Sequence, residues 1–174
     1  MELISMDGGQ AINVKYRITF SGLNESMFAY TRANRSIMDI IVGVLAIALA
    51  FLQFYVSGLN SLGFGLLAIG FFILFRGYVF VASFLLYRRY RDIYKENFEV
   101  TIDEEGIHAK TGTLDATRSW EGYQMVIESD KSFIFVYAKM GFFAIPKEAL
   151  NSQTEKELRG LIRNKIANFR SLVS

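Results

Sequence analysis

The sequence predicts an α+β membrane protein, in which a two-helix transmembrane hairpin precedes an antiparallel β-sheet that is closed by a C-terminal amphipathic helix. Three observations predict this class: two long apolar stretches, flanking runs that alternate apolar and polar residues, and a final stretch with an apolar stripe at helical spacing. The chain has 174 residues, of which 52% are hydrophobic and 21% are charged, with a mean hydropathy of +0.25. Together with the absence of cysteine, this composition excludes a disordered tail and a disulfide-stapled secreted module.

The two apolar stretches run from residue 37 to 56 and from residue 62 to 87, and each contains a single charge. At about 1.5 Å per residue, the first stretch covers roughly 30 Å, the thickness of the hydrocarbon core of a bilayer. The second is long enough to span with tilt or to run on into the interface. A pair of buried helices in a soluble protein is the alternative, but such helices keep a polar face and neither stretch has one. Transmembrane helices are therefore the favoured interpretation.

Five residues, 57–61, connect the two stretches, so they form an antiparallel hairpin with both chain ends on the same side. The connection carries no charge, whereas basic residues flank the hairpin. The positive-inside rule then places both termini in the cytoplasm of a multi-pass membrane protein. The juxtamembrane basic residues are Arg32, Arg35, Arg88, Arg89, Arg91 and Lys95.

The two charges inside the apolar stretches, Asp39 and Arg76, fall at similar distances from the connection between them. An unpaired charge at the centre of a bilayer costs roughly 2 to 3 kcal/mol on insertion scales, and less near the surface. We therefore expect Asp39 and Arg76 to pair across the hairpin as a structural lock. Independent extension of each side chain toward the interface is the alternative.

The segment before the hairpin, residues 1–36, is predicted to contain a strand and a helix that pack with the domain after it. Apolar and polar residues alternate over 12–20, as in a strand with one buried face. We expect this strand to join the later sheet, because a lone strand would leave its backbone groups unpaired. A helix capped by Asn24 should follow and lead directly into the first span.

The segment after the hairpin, residues 88–174, is predicted to fold as a meander of antiparallel strands and one helix. Pro146 ends the strands, and Asn151 or Ser152 can cap a helix whose apolar stripe continues to Val173. Trp120 is expected to anchor the core. The predicted strands cover 98–103, 107–111, 115–120, 124–129, 132–138 and 141–145.

Three runs in this segment resemble the YcxB-like proteins of bacteria: FEVTIDEEGIHAKTG, WEGYQMVIESDKSFIFVY and GFFAIPKEAL. The resemblance implies a short strand and helix, two transmembrane helices, and a cytoplasmic domain similar to pleckstrin-homology (PH) folds, held at the bacterial inner membrane. In such a domain the antiparallel strands form a curved sheet or a barrel. The family has no well-established activity, so the resemblance implies architecture and location rather than mechanism.

Residues that could carry catalysis or bind a metal are sparse. His108 is the only histidine, and with no cysteine it cannot form a zinc site of the usual His and Cys kinds. Acidic residues 103–105 precede a glycine and are better explained as a solvated turn than as a cation site. We expect no enzyme activity, no cofactor and no metal site.

The favoured function is that of a membrane-anchored adaptor whose PH-like domain binds a protein or peptide. The alternative is recognition of anionic lipid headgroups by the basic residues that follow the hairpin, although membrane topology alone explains those charges. A membrane enzyme or transporter has little room in two spans, whereas a homo-oligomer stays open. The near-even charge balance of 19 Lys and Arg against 17 Asp and Glu does not favour nucleic acid, and aromatic residues on adjacent strands are better explained by packing.

Overall fold

The computed structural model describes residues 11–34, 36–139 and 141–173. Six helices and eight strands make up this part of the chain, and they confirm the α+β class. The helices are α1 (Phe20–Ala33), α2 (Ile37–Ser57), α3 (Ser61–Leu74), α4 (Gly77–Arg89), α5 (Arg91–Tyr94) and α6 (Ser152–Lys165). The strands are β1 (Ile12–Tyr16), β2 (Phe98–Ile102), β3 (Gly106–Lys110), β4 (Asp115–Ser119), β5 (Met125–Glu128), β6 (Ser132–Ala138), β7 (Gly141–Pro146) and β8 (Phe169–Ser171).

The strands form two four-stranded sheets, and no closed barrel is formed within the described ranges. The first sheet has the order β1-β2-β3-β4 and the second the order β7-β6-β5-β8. Neighbouring strands are antiparallel except for β5 and β8, which are parallel. As a result, β1 and β7 are edge strands of different sheets.

Strand β1, which precedes the apolar helices, pairs with β2, which follows them. The register places Tyr16 opposite Phe98 and Ile12 opposite Ile102, with buried and exposed residues alternating along β1. The prediction that this strand joins the later sheet is confirmed. The strand is shorter than predicted because Thr19 caps α1, its Oγ1 accepting a hydrogen bond from the Gly22 amide at 3.1 Å. The predicted cap at Asn24 is therefore wrong.

The main core lies between the two sheets and is closed by α6. Leu158 and Ile162 of α6 are fully buried beside inward-facing residues of both sheets, including Phe133 and Val100. Asn151 caps α6, with its side chain accepting from backbone amides of the first turn, so the predicted start of an amphipathic C-terminal helix is confirmed.

The end of α6 differs from the prediction. The helix stops at Lys165, and β8 adds in parallel to the free edge of β5, where the Val126 amide donates to the Asn168 carbonyl at 3.0 Å. Pairing along this edge satisfies backbone groups that would otherwise stay open. Phe169 and Val173 therefore do not continue the helical stripe.

Helix α1 lies between the second sheet and α4. Ala29 packs on Ile127 and Ile134 of the sheet, while Leu23 and Met27 pack on Val79 of α4. The residues before the apolar helices thereby connect the second sheet with α4. We call α1, α4 and α5 the helical layer.

Helices α2 and α3 form a closely packed antiparallel hairpin, and small residues allow the approach. A Cβ added at Gly43 would lie 2.7 Å from the Leu74 side chain, and one at Gly70 would lie 2.9 Å from the Gly43 carbonyl oxygen. Gly65, in contrast, has nothing within 4 Å of an added Cβ. Most of the large apolar side chains of both helices are exposed.

Helix α2 alone is long and apolar enough to cross a membrane, among the helices in the described part of the chain. Helices α3 and α4 meet that test only together, and they are bent by 72°. The single continuous helix predicted over 62–87 is therefore wrong. The chain breaks at Arg76, which adopts a left-handed backbone conformation with φ of 56° and ψ of 35°.

Candidate functional site: a groove between the sheet edges

A groove opens where the side chain of Tyr16, on edge strand β1 of the first sheet, reaches edge strand β7 of the second sheet. Its cavity has a volume of about 470 Å³ and is also bordered by the start of α1 and by residues of α4 and α5. The groove is mainly apolar and aromatic, with lining residues that include Tyr16, Ile18, Tyr94, Tyr137, Phe142 and Phe143. We call this cavity the edge groove.

One hydrogen bond crosses the floor of the edge groove. The Tyr16 hydroxyl donates to the Ala144 carbonyl oxygen at 2.8 Å, and the Tyr16 ring stacks on Phe98 at 5.9 Å between ring centroids. Burial, with a further contribution from Tyr123, raises the pKa of Tyr16 far above its ordinary value, so the hydroxyl stays protonated as a donor. The two sheets are thus joined by a side chain where no strand pairing joins them.

The mouth of the edge groove is formed by partly exposed side chains. Leu114 is 40% exposed and Tyr137 is 36% exposed, and both line the cavity. The Arg118 guanidinium lies 4.5 Å from the centroid of the Tyr137 ring, a cation–π contact that holds the ring in place. An apolar side chain of a partner could enter here without displacing a core residue.

Tyrosines from the helical layer form the opposite wall. The Tyr94 ring stacks on Tyr87 at 5.7 Å and lies 6.3 Å from Tyr90, which also lines the cavity. Burial, followed by the neighbouring tyrosines Tyr90 and Tyr137, raises the pKa of Tyr94. The Tyr94 hydroxyl therefore stays protonated at neutral pH.

A buried ionic network holds α6 against the second sheet. Glu128 of β5 accepts a hydrogen bond from Arg159 Nη2 at 2.6 Å and from Lys147 Nζ at 2.8 Å. Burial by itself raises the pKa of Glu128, but the hydrogen bonds from Arg159 and Lys147 outweigh it and hold the pKa below its usual value. The three residues come from separate segments, so no spacing in the sequence identifies the network.

His108 lies on β3 and pairs with an acidic residue of β4. Its Nε2 lies 2.7 Å from Asp115 Oδ1 on the neighbouring strand, and both side chains are exposed. In the described ranges, no three His, Cys, Asp or Glu side chains are placed to hold a metal ion. Trp120 is buried as expected, and its Nε1 donates to the Asp103 carbonyl at 2.9 Å, although it lies in a 3-10 turn (Trp120–Gly122) instead of a strand.

The two charges of the apolar stretches lie near the break between α3 and α4. Asp39 Oδ2 accepts a hydrogen bond from the Tyr78 hydroxyl at 3.4 Å. The ion pairs formed among the described residues do not include one between Asp39 and Arg76. Their pairing stays a prediction, and Tyr78 is the partner that sequence reasoning missed.

The juxtamembrane basic residues separate into two groups along α4. Arg32, at the end of α1, shares a shallow cleft with Arg76 at the start of α4. Arg88, Arg89, Arg91 and Lys95 lie at the other end of α4 and in the turn after it, where they are exposed. Arg35 lies outside the described residues.

The edge groove was missed by sequence reasoning because its walls come from segments far apart in the chain. Tyr16 and Ala144 are 128 positions apart. Alternation identified Tyr16 as an inward-facing strand residue, but it could not show that β1 and β7 end up as neighbouring edges. An aromatic residue at the inward position of an edge strand was the only signal available.

Comparison with known proteins gives one match. Residues 102–162 match the sequence model of the YcxB-like protein family. No curated protein and no solved structure matches the chain. The matched segment begins at the end of β2 and extends into α6, so it contains the strands of the second sheet that border the edge groove. The resemblance to the YcxB-like family is therefore confirmed over residues 102–162.

Proposed function

We propose that this protein is a membrane-anchored interaction protein whose two-sheet domain binds a protein or peptide partner in the cytoplasm. The edge groove is the observation that carries the proposal. Its volume of about 470 Å³ lies within the roughly 300 to 1,000 Å³ of typical ligand sites, and its lining is largely apolar with a few polar groups.

In this groove, contacts from side chains would recognise the partner more than backbone hydrogen bonds would. Strand β7 is an edge, but the Ala144 carbonyl is already bonded to Tyr16 and Pro146 has no amide hydrogen. Addition of a full strand to this edge would therefore lack pairing groups. A peptide that inserts one or two large apolar side chains between Tyr137 and Tyr94 fits the site better.

The anchor in this proposal is the α2–α3 hairpin. The exposed apolar faces of both helices support burial in a bilayer, and the flanking basic residues support a cytoplasmic location for both termini. The arrangement of two sheets closed by α6 supports the PH-like architecture that the family resemblance implies. Such folds commonly serve as interaction modules, which is an argument by analogy.

Recognition of anionic lipid headgroups is the second candidate. Arg88, Arg89 and Arg91 are exposed and form no ion pair with any described residue, whereas Lys95 lies 3.8 Å from Asp92. A headgroup site of this kind predicts that vesicle binding depends on anionic lipid and is lost with salt. If binding is the same for zwitterionic and anionic vesicles, these arginines only set the orientation of the helices in the membrane.

A photo-crosslinking amino acid at Leu114 tests the edge groove in cells. Leu114 is exposed at the mouth, so the replacement should not disturb folding. Val173 is a matched control, because it is also an exposed aliphatic residue and does not line the groove. We expect a discrete protein adduct from position 114 and none from position 173.

Purified components then decide whether the adduct reports binding. The crosslinked protein, or a peptide from its adduct site, should bind the intact chain, and Leu114→Asp should weaken that binding at least tenfold while Val173→Asp does not. The same adduct pattern at both positions, or equal affinity of both variants, would reject the groove as the binding site.

A further inference from the structure

We propose that α4 lies in the bilayer interface, bound by lipid along one face, instead of forming part of the second membrane crossing. The inference rests on the membrane attachment proposed above and assigns a partner surface to a helix that sequence patterning places inside a span. It follows from the direction of α4, the residues on its outer face and the charges at its two ends.

The direction of α4 carries it sideways from the hairpin. Helix α3 has 14 residues and α4 has 13, which corresponds to about 20 Å each at 1.5 Å per residue. The 72° bend between them means that α4 advances by only about a third of its length along the axis of α3. If α3 stands close to the bilayer normal, α4 runs nearly parallel to the surface.

The two faces of α4 differ in what covers them. Val79 and Ser83 are buried, and Val79 packs on α1, which separates α4 from the second sheet. The opposite face carries four large apolar side chains that are largely exposed, although the Phe20 ring of α1 contacts the rings of Phe80 and Phe84 edge to face. Their exposed fractions are 52% for Phe80, 44% for Val81, 50% for Phe84 and 59% for Leu85.

The polar groups at the start of α4 mark the level of the interface. Arg76 lies at the break, and the Tyr78 hydroxyl donates to Asp39 in the first turn of α2. Charged and tyrosyl groups of this kind are stable at the headgroup level and costly deeper in the bilayer. Helix α4 therefore begins where the hairpin leaves the hydrocarbon core.

The far end of α4 is also basic, with Arg88 and Arg89 in its last turn. Basic residues at both ends and a phenylalanine and aliphatic stripe between them match the pattern of helices that lie in the interface plane. Along the sequence, the exposed apolar side chains of α3 continue through Phe75 at the bend into this stripe. This continuity favours lipid over a protein as the partner of the stripe. Packing of the stripe against a second copy of the chain would be detected by the spin-label experiment.

Spin labels on single cysteines measure the depth of each position in the full-length chain. The native sequence has no cysteine, so Val81→Cys, Leu85→Cys and Arg88→Cys each give one label on the outer face of α4. Leu52→Cys labels α2, and Glu105→Cys labels an exposed turn of the sheet domain. The chain is reconstituted in vesicles of phosphatidylcholine and phosphatidylglycerol, and accessibility to oxygen and to a water-soluble nickel complex gives the depth.

An interfacial helix predicts similar shallow depths at positions 81, 85 and 88. A helix that completes a crossing predicts a steady change of about 10 Å between positions 81 and 88, at 1.5 Å per residue, and this result would overturn the inference. Aqueous accessibility at all three positions would overturn it as well, and so would spin–spin broadening that shows α4 packed against a second copy.

Position 52 separates this inference from the proposed anchoring. A deep label at 52 combined with an aqueous α4 removes only the interfacial helix and leaves the anchor intact. An aqueous label at 52 removes the membrane attachment itself, and the inference falls with it. The label at 105 should be aqueous in every case and reports that the domain is folded outside the bilayer.

Discussion

The Tyr16 hydroxyl donates a hydrogen bond to the Ala144 carbonyl oxygen and so connects the edge strands of two separate sheets. Tyr16 precedes the apolar helices in the chain and Ala144 follows them. A single side chain therefore ties the N-terminal segment to the second sheet, in addition to the backbone pairing of β1 with β2.

Replacing this tyrosine tests the contribution of the bond. Tyr16→Phe keeps the ring and leaves the Ala144 carbonyl without its partner, which should lower the free energy of unfolding by about 1 kcal/mol. Tyr137→Phe is the control, because that residue lies at the partly exposed mouth of the edge groove. Denaturant unfolding in detergent measures both, and equal stabilities of the two variants would show that the bond contributes nothing.

The ionic network of α6 predicts an acid-sensitive stability. Glu128→Gln leaves Arg159 and Lys147 without their buried carboxylate and should cost about 3 kcal/mol. The pKa of Glu128 is lowered in the folded protein, so its contribution is present above the ordinary carboxyl pKa and is lost as the pH falls through the folded value.

Stability profiles against pH separate this network from general acid effects. The native chain should lose stability more steeply than the Glu128→Gln variant as the pH falls below about 4.3. Glu99→Gln is the matched control, since Glu99 pairs with Lys15 on the exposed face of the first sheet, and its loss should be much smaller. Parallel profiles for the native chain and Glu128→Gln would refute the buried-carboxylate explanation.

The proposed topology predicts opposite labelling of two single-cysteine variants. Asn60→Cys lies in the short connection between α2 and α3, and Glu105→Cys lies in an exposed turn of the sheet domain. With both termini cytoplasmic, an impermeant maleimide added to intact cells should label only position 60, and permeabilisation should expose position 105. Labelling of position 105 in intact cells would reverse the orientation.

The charges near the break between α3 and α4 predict unequal couplings. A double-mutant cycle of Asp39→Asn with Tyr78→Phe should give a coupling of about 0.5 to 1 kcal/mol, because their side chains are hydrogen-bonded. The same cycle with Arg76→Gln tests the pair expected from sequence. Strictly additive losses in that second cycle would reject the Asp39–Arg76 pair.

Strand positions were largely predictable because alternation has a strong physical cause. Strand β1 was found from its alternating residues alone, whereas residues 132–138, a nearly continuous apolar run, were predicted with the observed limits from the turn that precedes them. The end of α6 was not predictable in the same way. Phe169 fits a helical stripe by spacing, but its segment pairs with the open edge of β5 and forms a strand. That edge exists only in the folded sheet.

The bend at Arg76 and the edge groove could not be predicted from the spacing of apolar residues, for a different reason. Hydropathy over 62–87 records only that the residues are apolar, and it does not register a left-handed residue that redirects the helix. The partner that donates a hydrogen bond to Asp39 is Tyr78, two positions beyond the Arg76 expected from the sequence. Identifying the partner required the side-chain geometry.

The pairing of β1 with β2 also sets the order in which this protein can be completed during synthesis. Strand β1 leaves the ribosome before the other strands, and its partner β2 follows only after residues 17–97 have been made. The pairing of β1 with β2 can therefore form only after the apolar helices have been synthesised. Translation of the C-terminal part alone would present β2 with an uncovered edge, a surface that recruits other strands. A fragment for solution studies would therefore need residues 11–34 fused ahead of the sheet domain, so that β1 covers the edge of β2 as in the full chain.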